Sequence, residues 1–395
     1  MQNSFRWYGP KDPVNLSDIR QSNAEYIVTS LHQIPYGEKW TKDNIKKRIN
    51  YINKFNSSKN INLKWNVIES VPVHNNIKLR NKNFKKLINN YKDTISNISK
   101  NKINTICYNF MPIVDWTRTQ LDFKLPTEGL ALKFDYLQII IFEKYILKLK
   151  NLEKRYTLKE IKNAELLYKK MKNKDIDNMK FSIMGGLPAA EKRYSINEFK
   201  KMLSKYNDIK AIDLKENLRD FIREIMPVAE ENNIKMAIHP DDPPIPLFGV
   251  PRIVSSMEDY KYILDSYDSP SNGMTFCSGS LASNIDNDVL KIFDKFKHKI
   301  NFIHLRNVKI EKDNKSFYES NHLSGDVDFV KLIKMILKEE KRRGKSKKVD
   351  IPMRPDHGHC LLDDQKKTSI NPGYTAIGRL MGLSEIRGII KTLTN

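Results

Sequence analysis

The chain has 395 residues, 39% of them hydrophobic, and a formal charge of +22. It is long enough to bury a full core and sits near the upper range of one α/β barrel with insertions. No apolar run approaches the roughly 18 residues of a membrane span, and MQNSFRWYGPKDP at the N-terminus has no apolar signal core.

In chain order, strands are predicted at FRWYG (5–9) and YIVTSL (26–31), followed by a helix over 41–56 with Thr41 as its N-cap. A strand at WNVIES (65–70), a helix over 81–100 and a strand at TICYNF (105–110) come next. Residues 111–212 are too many for a plain crossover and read as a helical insertion, with a turn-prone GGLPAAEKR at 185–193. The helix over 213–233 returns to the regular rhythm, and Pro227 should kink or shorten it. Four further strands end in polar, chemistry-bearing residues: MAIHP (236–240), MTFCSG (274–279), FIHLRN (302–307) and IPMRPDHGH (351–359). Between them fall a helix over 286–298, a polar segment 308–326 placed as a natural lid, and a helix over 326–343 opened by Asp326 and closed by Gly344. Asn-Pro-Gly at 371–373 then turns the chain, and Tyr374 opens the last helix. Strands alternating with helices imply parallel pairing. Eight such units predict a single (β/α)₈ TIM barrel domain over 1–395, with 111–212 inserted after the fourth strand.

The positive charge is mostly lysine, dispersed over predicted helices 146–180, 291–299 and 331–348. That pattern reads as solvated helix faces rather than a nucleic-acid surface, although a positive field can draw an anionic small substrate to a cleft. Cys107, Cys277 and Cys360 are odd in number and far apart, which fits a reducing, cytoplasmic setting without a disulfide framework.

In a parallel barrel the C-terminal strand ends share one mouth. His239, Cys277, His304 and Asp356 therefore converge as a candidate four-ligand metal set, open rather than a closed zinc clip. His304 and Arg306 share one face of their strand, as do Arg354 and Asp356 if theirs continues. Both arginines suit an anionic substrate, and both equally suit ion pairing with Asp356 or a neighbouring carboxylate. His357 and His359 suit proton transfer or loop anchoring. Tyr374 suits acid–base work if a nearby cation lowers its pKa.

RWYGPKDPVNLSDIRQ (6–21), MAIHPDDPPIPLFGVPRIVS (236–255), FCSGS (276–280), FIHLRNVK (302–309), IPMRPDHGH (351–359) and NPGYTAIGRLMGL (371–383) closely resemble mannonate dehydratase. The resemblance runs from the first strand to the last helix. Departures lie in the Lys-rich helices and at Cys360. It implies a xylose-isomerase-like barrel and an Mn²⁺- or Fe²⁺-dependent hydro-lyase. D-mannonate would lose water to give 2-dehydro-3-deoxy-D-gluconate in hexuronate (glucuronate) catabolism. By motif, His239, Cys277, His304 and Asp356 match metal ligands. Arg354, Asp356, His357 and Tyr374 form the catalytic set, with Arg306 and Arg354 at the substrate; Tyr374 and His357 divide the acid and base roles. The implied partner is the sugar acid, with no nucleic acid and no membrane, and a homo-oligomer, a dimer favoured, is expected. An epimerase of the same barrel type would yield no 2-keto-3-deoxy product. A barrel endonuclease would need more His and carboxylate ligands at its strand ends.

Overall fold

Eight parallel strands close on themselves in the computed structural model, which describes residues 1–185, 194–344 and 350–394. In chain order the strands are β1 (Gln2–Arg6), β2 (Tyr26–Thr29), β3 (Lys64–Glu69), β4 (Thr105–Tyr108), β5 (Gln120–Lys124), β6 (Leu130–Phe134), β7 (Lys235–Ile238), β8 (Asn272–Cys277), β9 (Ile300–Leu305), β10 (Asn307–Ile310), β11 (Phe317–Ser320) and β12 (Pro352–Pro355). The barrel order is β1-β12-β9-β8-β7-β4-β3-β2, and β10-β11-β6-β5 form a second, antiparallel sheet. Strands such as β8 and β9 are buried at every residue, as expected where side chains on one face fill the barrel and those on the other meet helices. Val28, Val67, Cys107, Ala237 and Phe302 form a separate apolar cluster.

The helices follow the expected signals with two differences. Thr41 accepts the Asn44 amide at 3.2 Å and caps Lys42–Lys59. The helix Phe329–Gly344 is opened by Asp328, which accepts the Lys331 amide at 3.0 Å. Asp326, the expected cap, instead accepts the Ile310 amide at 2.7 Å, because a strand edge competes for its carboxylate. Pro227 does not shorten its helix, which runs Ala211–Glu231. The proline and Arg223, whose carbonyl it leaves without a helical donor, both face solvent, where such a carbonyl stays open to water.

The insertion after β4 is helical at Tyr136–Ile141, Leu158–Lys170, Asn173–Gly185 and Ile196–Ser204, but it opens with the β5–β6 hairpin. The segment read as a polar lid loop is also a hairpin, β10–β11, and the two hairpins pair through β11 and β6. Phe134 stacks on Phe317 at 5.4 Å between ring centres, which explains the joining of two distant segments. The turn-prone 185–193 segment lies, apart from Gly185, outside the described residues. Among the described residues no helix is long and apolar enough to cross a membrane.

Candidate active site

Strand register sets the site. Cys277 on β8 pairs across to His304 on β9, and His304 pairs to Arg354 on β12. Three reactive side chains therefore stand at one level of the mouth. His239 follows β7, its amide donating to Tyr108 O at 2.7 Å. One ligand atom from each of His239, Cys277 and His304 lies within 4.8 Å of the others. His239 Nε2 is 3.1 Å from His304 Nδ1, and His239 Nδ1 is held on Pro240 O at 2.7 Å. Asp356 Oδ2 stands beside the cluster, 3.7 Å from Cys277 Sγ and 3.9 Å from His304 Nδ1. His304 Nε2 is buried on the other side of the ring and faces Glu69 Oε2 at 3.4 Å. Two imidazoles, a thiol and a carboxylate are the mixed nitrogen, sulfur and oxygen donor set that fits a divalent transition ion. Below, the Phe302 ring meets His304 edge-on at 4.7 Å, so the floor is dry.

Around the cluster runs a buried network of arginines and carboxylates. Arg354 donates Nε and Nη2 to Glu69 at 2.9 and 2.7 Å and Nη1 to Asp356 at 2.6 Å. Arg306 donates Nε to Glu319 and Nη1 to Asp242, both at 2.7 Å, and Nη1 also to Ser280 Oγ at 3.0 Å. Arg118, from the insertion, reaches both Asp242 and Glu319. Burial alone would raise these acids. The guanidinium of Arg354, with Arg6 and His304, instead holds Glu69 well below its ordinary value. Arg354, His357 and His304 do the same for Asp356, and Arg306, His357 and Arg118 for Glu319. Arg354 lines the cavity, and Arg306 is not among its lining residues.

His357 joins the network to Tyr374. Its Nδ1 is 3.0 Å from Glu319 Oε1 and its Nε2 is 3.1 Å from Tyr374 Oη. An ionised Glu319 can only accept, so Nδ1 carries a proton and Nε2 is the ring nitrogen that faces the tyrosine hydroxyl. The Asn371-Pro372-Gly373 turn, with Gly373 at φ 78°, aims the tyrosine; the Tyr374 amide donates to Asn371 O at 2.8 Å. Against the sequence-based expectation, burial and then Tyr8 and Asp356 push the Tyr374 hydroxyl well above its ordinary value, and Arg354 offsets only part. His359 bonds Glu319 O at 2.8 Å and so anchors β11 over the mouth.

Glu69, Asp242, Glu319 and Arg118 escaped the sequence reading. Glu69 is the next-to-last residue of the predicted strand 65–70 and ends the observed strand Lys64–Glu69, so the strand-end rule that selected His239 reaches it. Asp242 stood in view in HPDDPP. Glu319 and Arg118 had no local signal, because an antiparallel sheet outside the barrel brings them in. The cavity lined by Glu69, Asp242, Arg354, His357 and Tyr374 is small, about 40 Å³. A larger one of about 610 Å³ opens at the opposite end, among N-terminal strand residues such as Gln2, Lys64 and Asn301. Its lining has amides and lysines but no His or Cys, and that end of such a barrel serves stability rather than chemistry.

The family model for D-mannonate dehydratase (UxuA) matches residues 1–395. The chain is 44% identical over 390 residues to a mannonate dehydratase of Marinomonas sp. (strain MWYL1), covering 98% of each chain. It is 41% identical over 395 residues to that of Saccharophagus degradans (strain 2-40), covering 100% of this chain and 98% of the relative. The crystal structure of mannonate dehydratase from Streptococcus suis serotype 2 superposes with a TM-score of 0.76 at 34% identity, covering 100% of this chain and 93% of that one.

Proposed function

The chain belongs to the D-mannonate dehydratase family, and from that premise we propose that its barrel mouth removes water from D-mannonate to give 2-dehydro-3-deoxy-D-gluconate, a hydro-lyase step of hexuronate breakdown. The observation that carries this reading is the His357–Tyr374 contact at 3.1 Å beside the His239, Cys277 and His304 cluster. The family model that matches residues 1–395 and both relatives, at 44% and 41% identity, are mannonate dehydratases. The three free cysteines support a cytoplasmic setting.

His239, Cys277, His304 and Asp356 would hold the divalent ion, Mn²⁺ or Fe²⁺ by the family resemblance. When bound, that ion supplies a Lewis acid for substrate oxygens. The hydrogen on C2, next to the carboxylate, is weakly acidic. His357, its Nδ1 held by Glu319, takes it on Nε2. Tyr374, held protonated by burial, gives its proton to the departing C3 hydroxyl, which leaves as water. The imidazolium proton then returns to the phenolate across the His357–Tyr374 hydrogen bond, and the enol tautomerises to the ketone. Arg354, fixed by Glu69 and Asp356, keeps positive charge where negative charge grows on the carboxylate.

The test is turnover of D-mannonate by metal-stripped protein with Mn²⁺ or Fe²⁺ restored, monitoring the 2-keto-3-deoxy acid. Product that depends on added metal supports the reading. Product formed equally without metal, or none with either ion, overturns it.

A further inference from the structure

We propose that Arg6 binds the carboxylate of the sugar acid, an assignment that rests on the dehydration reading above. Arg6 ends β1 at the mouth and lines the same cavity as Glu69, Arg354, His357 and Tyr374. The residue is only 4% exposed, yet its Nε and Nη1 are buried without a hydrogen-bond partner. Nη1 stands 3.1 Å from Glu69 Oε2, close enough for attraction but not directed for a bond. That oxygen already accepts Arg354 Nε at 2.9 Å and lies 3.4 Å from His304 Nε2.

Buried donors left unpaired are costly and rare, so an acceptor that arrives later is the simplest account of them. A guanidinium with free N–H groups is matched by a carboxylate, which accepts two of them at once. Arg354 is committed to Glu69 and Asp356. Arg306 leaves only Nη2 without a partner and does not line the cavity. Arg6 is therefore the arginine at the mouth with capacity to spare.

Its position suits the chemistry. The Arg6 guanidinium lies over the Tyr8 ring at 4.8 Å, and Tyr8 meets the Tyr374 ring edge-on at 5.1 Å. Arg379 Nη1 donates to Arg6 O at 2.7 Å, and its Nη2 donates to Tyr374 O at 2.6 Å. One buried arginine thus holds both backbones.

The experiment compares wild type, Arg6→Gln and Arg6→Lys for two ligands, D-mannonate and its neutral isostere D-mannonamide, the latter as a competitive inhibitor. Wild type should prefer the acid. Arg6→Gln should raise the KM for D-mannonate by about 10- to 100-fold, the worth of a charge-assisted hydrogen bond, and erase the preference for acid over amide. Arg6→Lys should fall between, since it keeps the charge and loses the fork, and it carries the comparison if the glutamine variant does not fold. An unchanged acid-to-amide ratio in the folded variants, whether or not both affinities drop, overturns the proposal, because a merely structural arginine moves both ligands alike. Wild-type protein that prefers the acid in binding yet makes no keto acid overturns the dehydration reading instead, and leaves the Arg6 comparison intact.

Discussion

At Tyr374, packing decides the chemistry. A tyrosine after an Asn-Pro-Gly turn is, on its own, a residue that packs against a helix start. Here its hydroxyl meets His357 Nε2 at 3.1 Å, and Glu319 holds the other ring nitrogen at 3.0 Å. Replacing Tyr374 by Phe deletes one oxygen and leaves the metal-site side chains untouched. Turnover should fall by at least about 100-fold, the lower range for losing a proton-transfer group, while metal content measured by elemental analysis stays at the wild-type level. Activity within a few-fold of wild type would remove Tyr374 from the mechanism.

Between elements, the decisive contact joins the loop after β12 to the last helix, Ala376–Thr394. A Cβ on Gly378 would lie 2.0 Å from His359 O, and one on Gly358 would lie 2.4 Å from Arg379 N. Two glycines thus let the Asp356–His359 stretch lie against the helix, which sets where His357 points. Gly378→Ala should push that loop outward, destabilise the fold by about 1–3 kcal/mol as an overpacked contact and lower kcat/KM on the order of 100-fold through misplacement. Gly388→Ala, with nothing within 4 Å of its added carbon, is the control and should be neutral or stabilising by up to about 1 kcal/mol. Thermal melts and steady-state rates on both variants check this; equal behaviour of the two would refute the account. The second sheet matters for the same reason. It brings Glu319 from β11 to His357, so the hairpin read as a lid also carries part of the site.

For the whole molecule, the arginine–carboxylate network predicts an acid limit. The folded-state pKa values of Glu319 and Asp242 are depressed, with burial overcome chiefly by Arg306 for Glu319 and by Arg118 and Arg306 for Asp242. A depressed carboxylate contributes stability that is present above its unfolded pKa, about 4, and is lost as pH falls through the folded value. Asp12 and Asp241, which burial raises, act in the opposite sense and soften the slope. The metal-free protein should therefore hold its melting temperature from neutrality to about pH 5 and lose it steeply below about pH 4. A melting temperature flat to pH 3 would mean that the network adds nothing to stability.

Much was legible beforehand because a parallel barrel is a local rule repeated. Each β-prone run ending in a polar residue sends that residue to the same mouth, so the barrel and the meeting of His239, Cys277 and His304 follow from strand ends alone. Glu69 obeys the same rule, since the observed strand ends on it, but a strand-end glutamate has no distinguishing local signal. The tertiary structure decided what spacing cannot encode. Glu319 and Arg118 arrive from hairpins far apart in sequence, joined by the Phe134–Phe317 stack. Arg306 is held by Glu319 and Asp242, while Arg6 lines the cavity with Nε and Nη1 lacking hydrogen-bond partners. A strand's period of two says which way a side chain points. Only the packed neighbours say which charges are neutralised, because that depends on partners tens to hundreds of residues away.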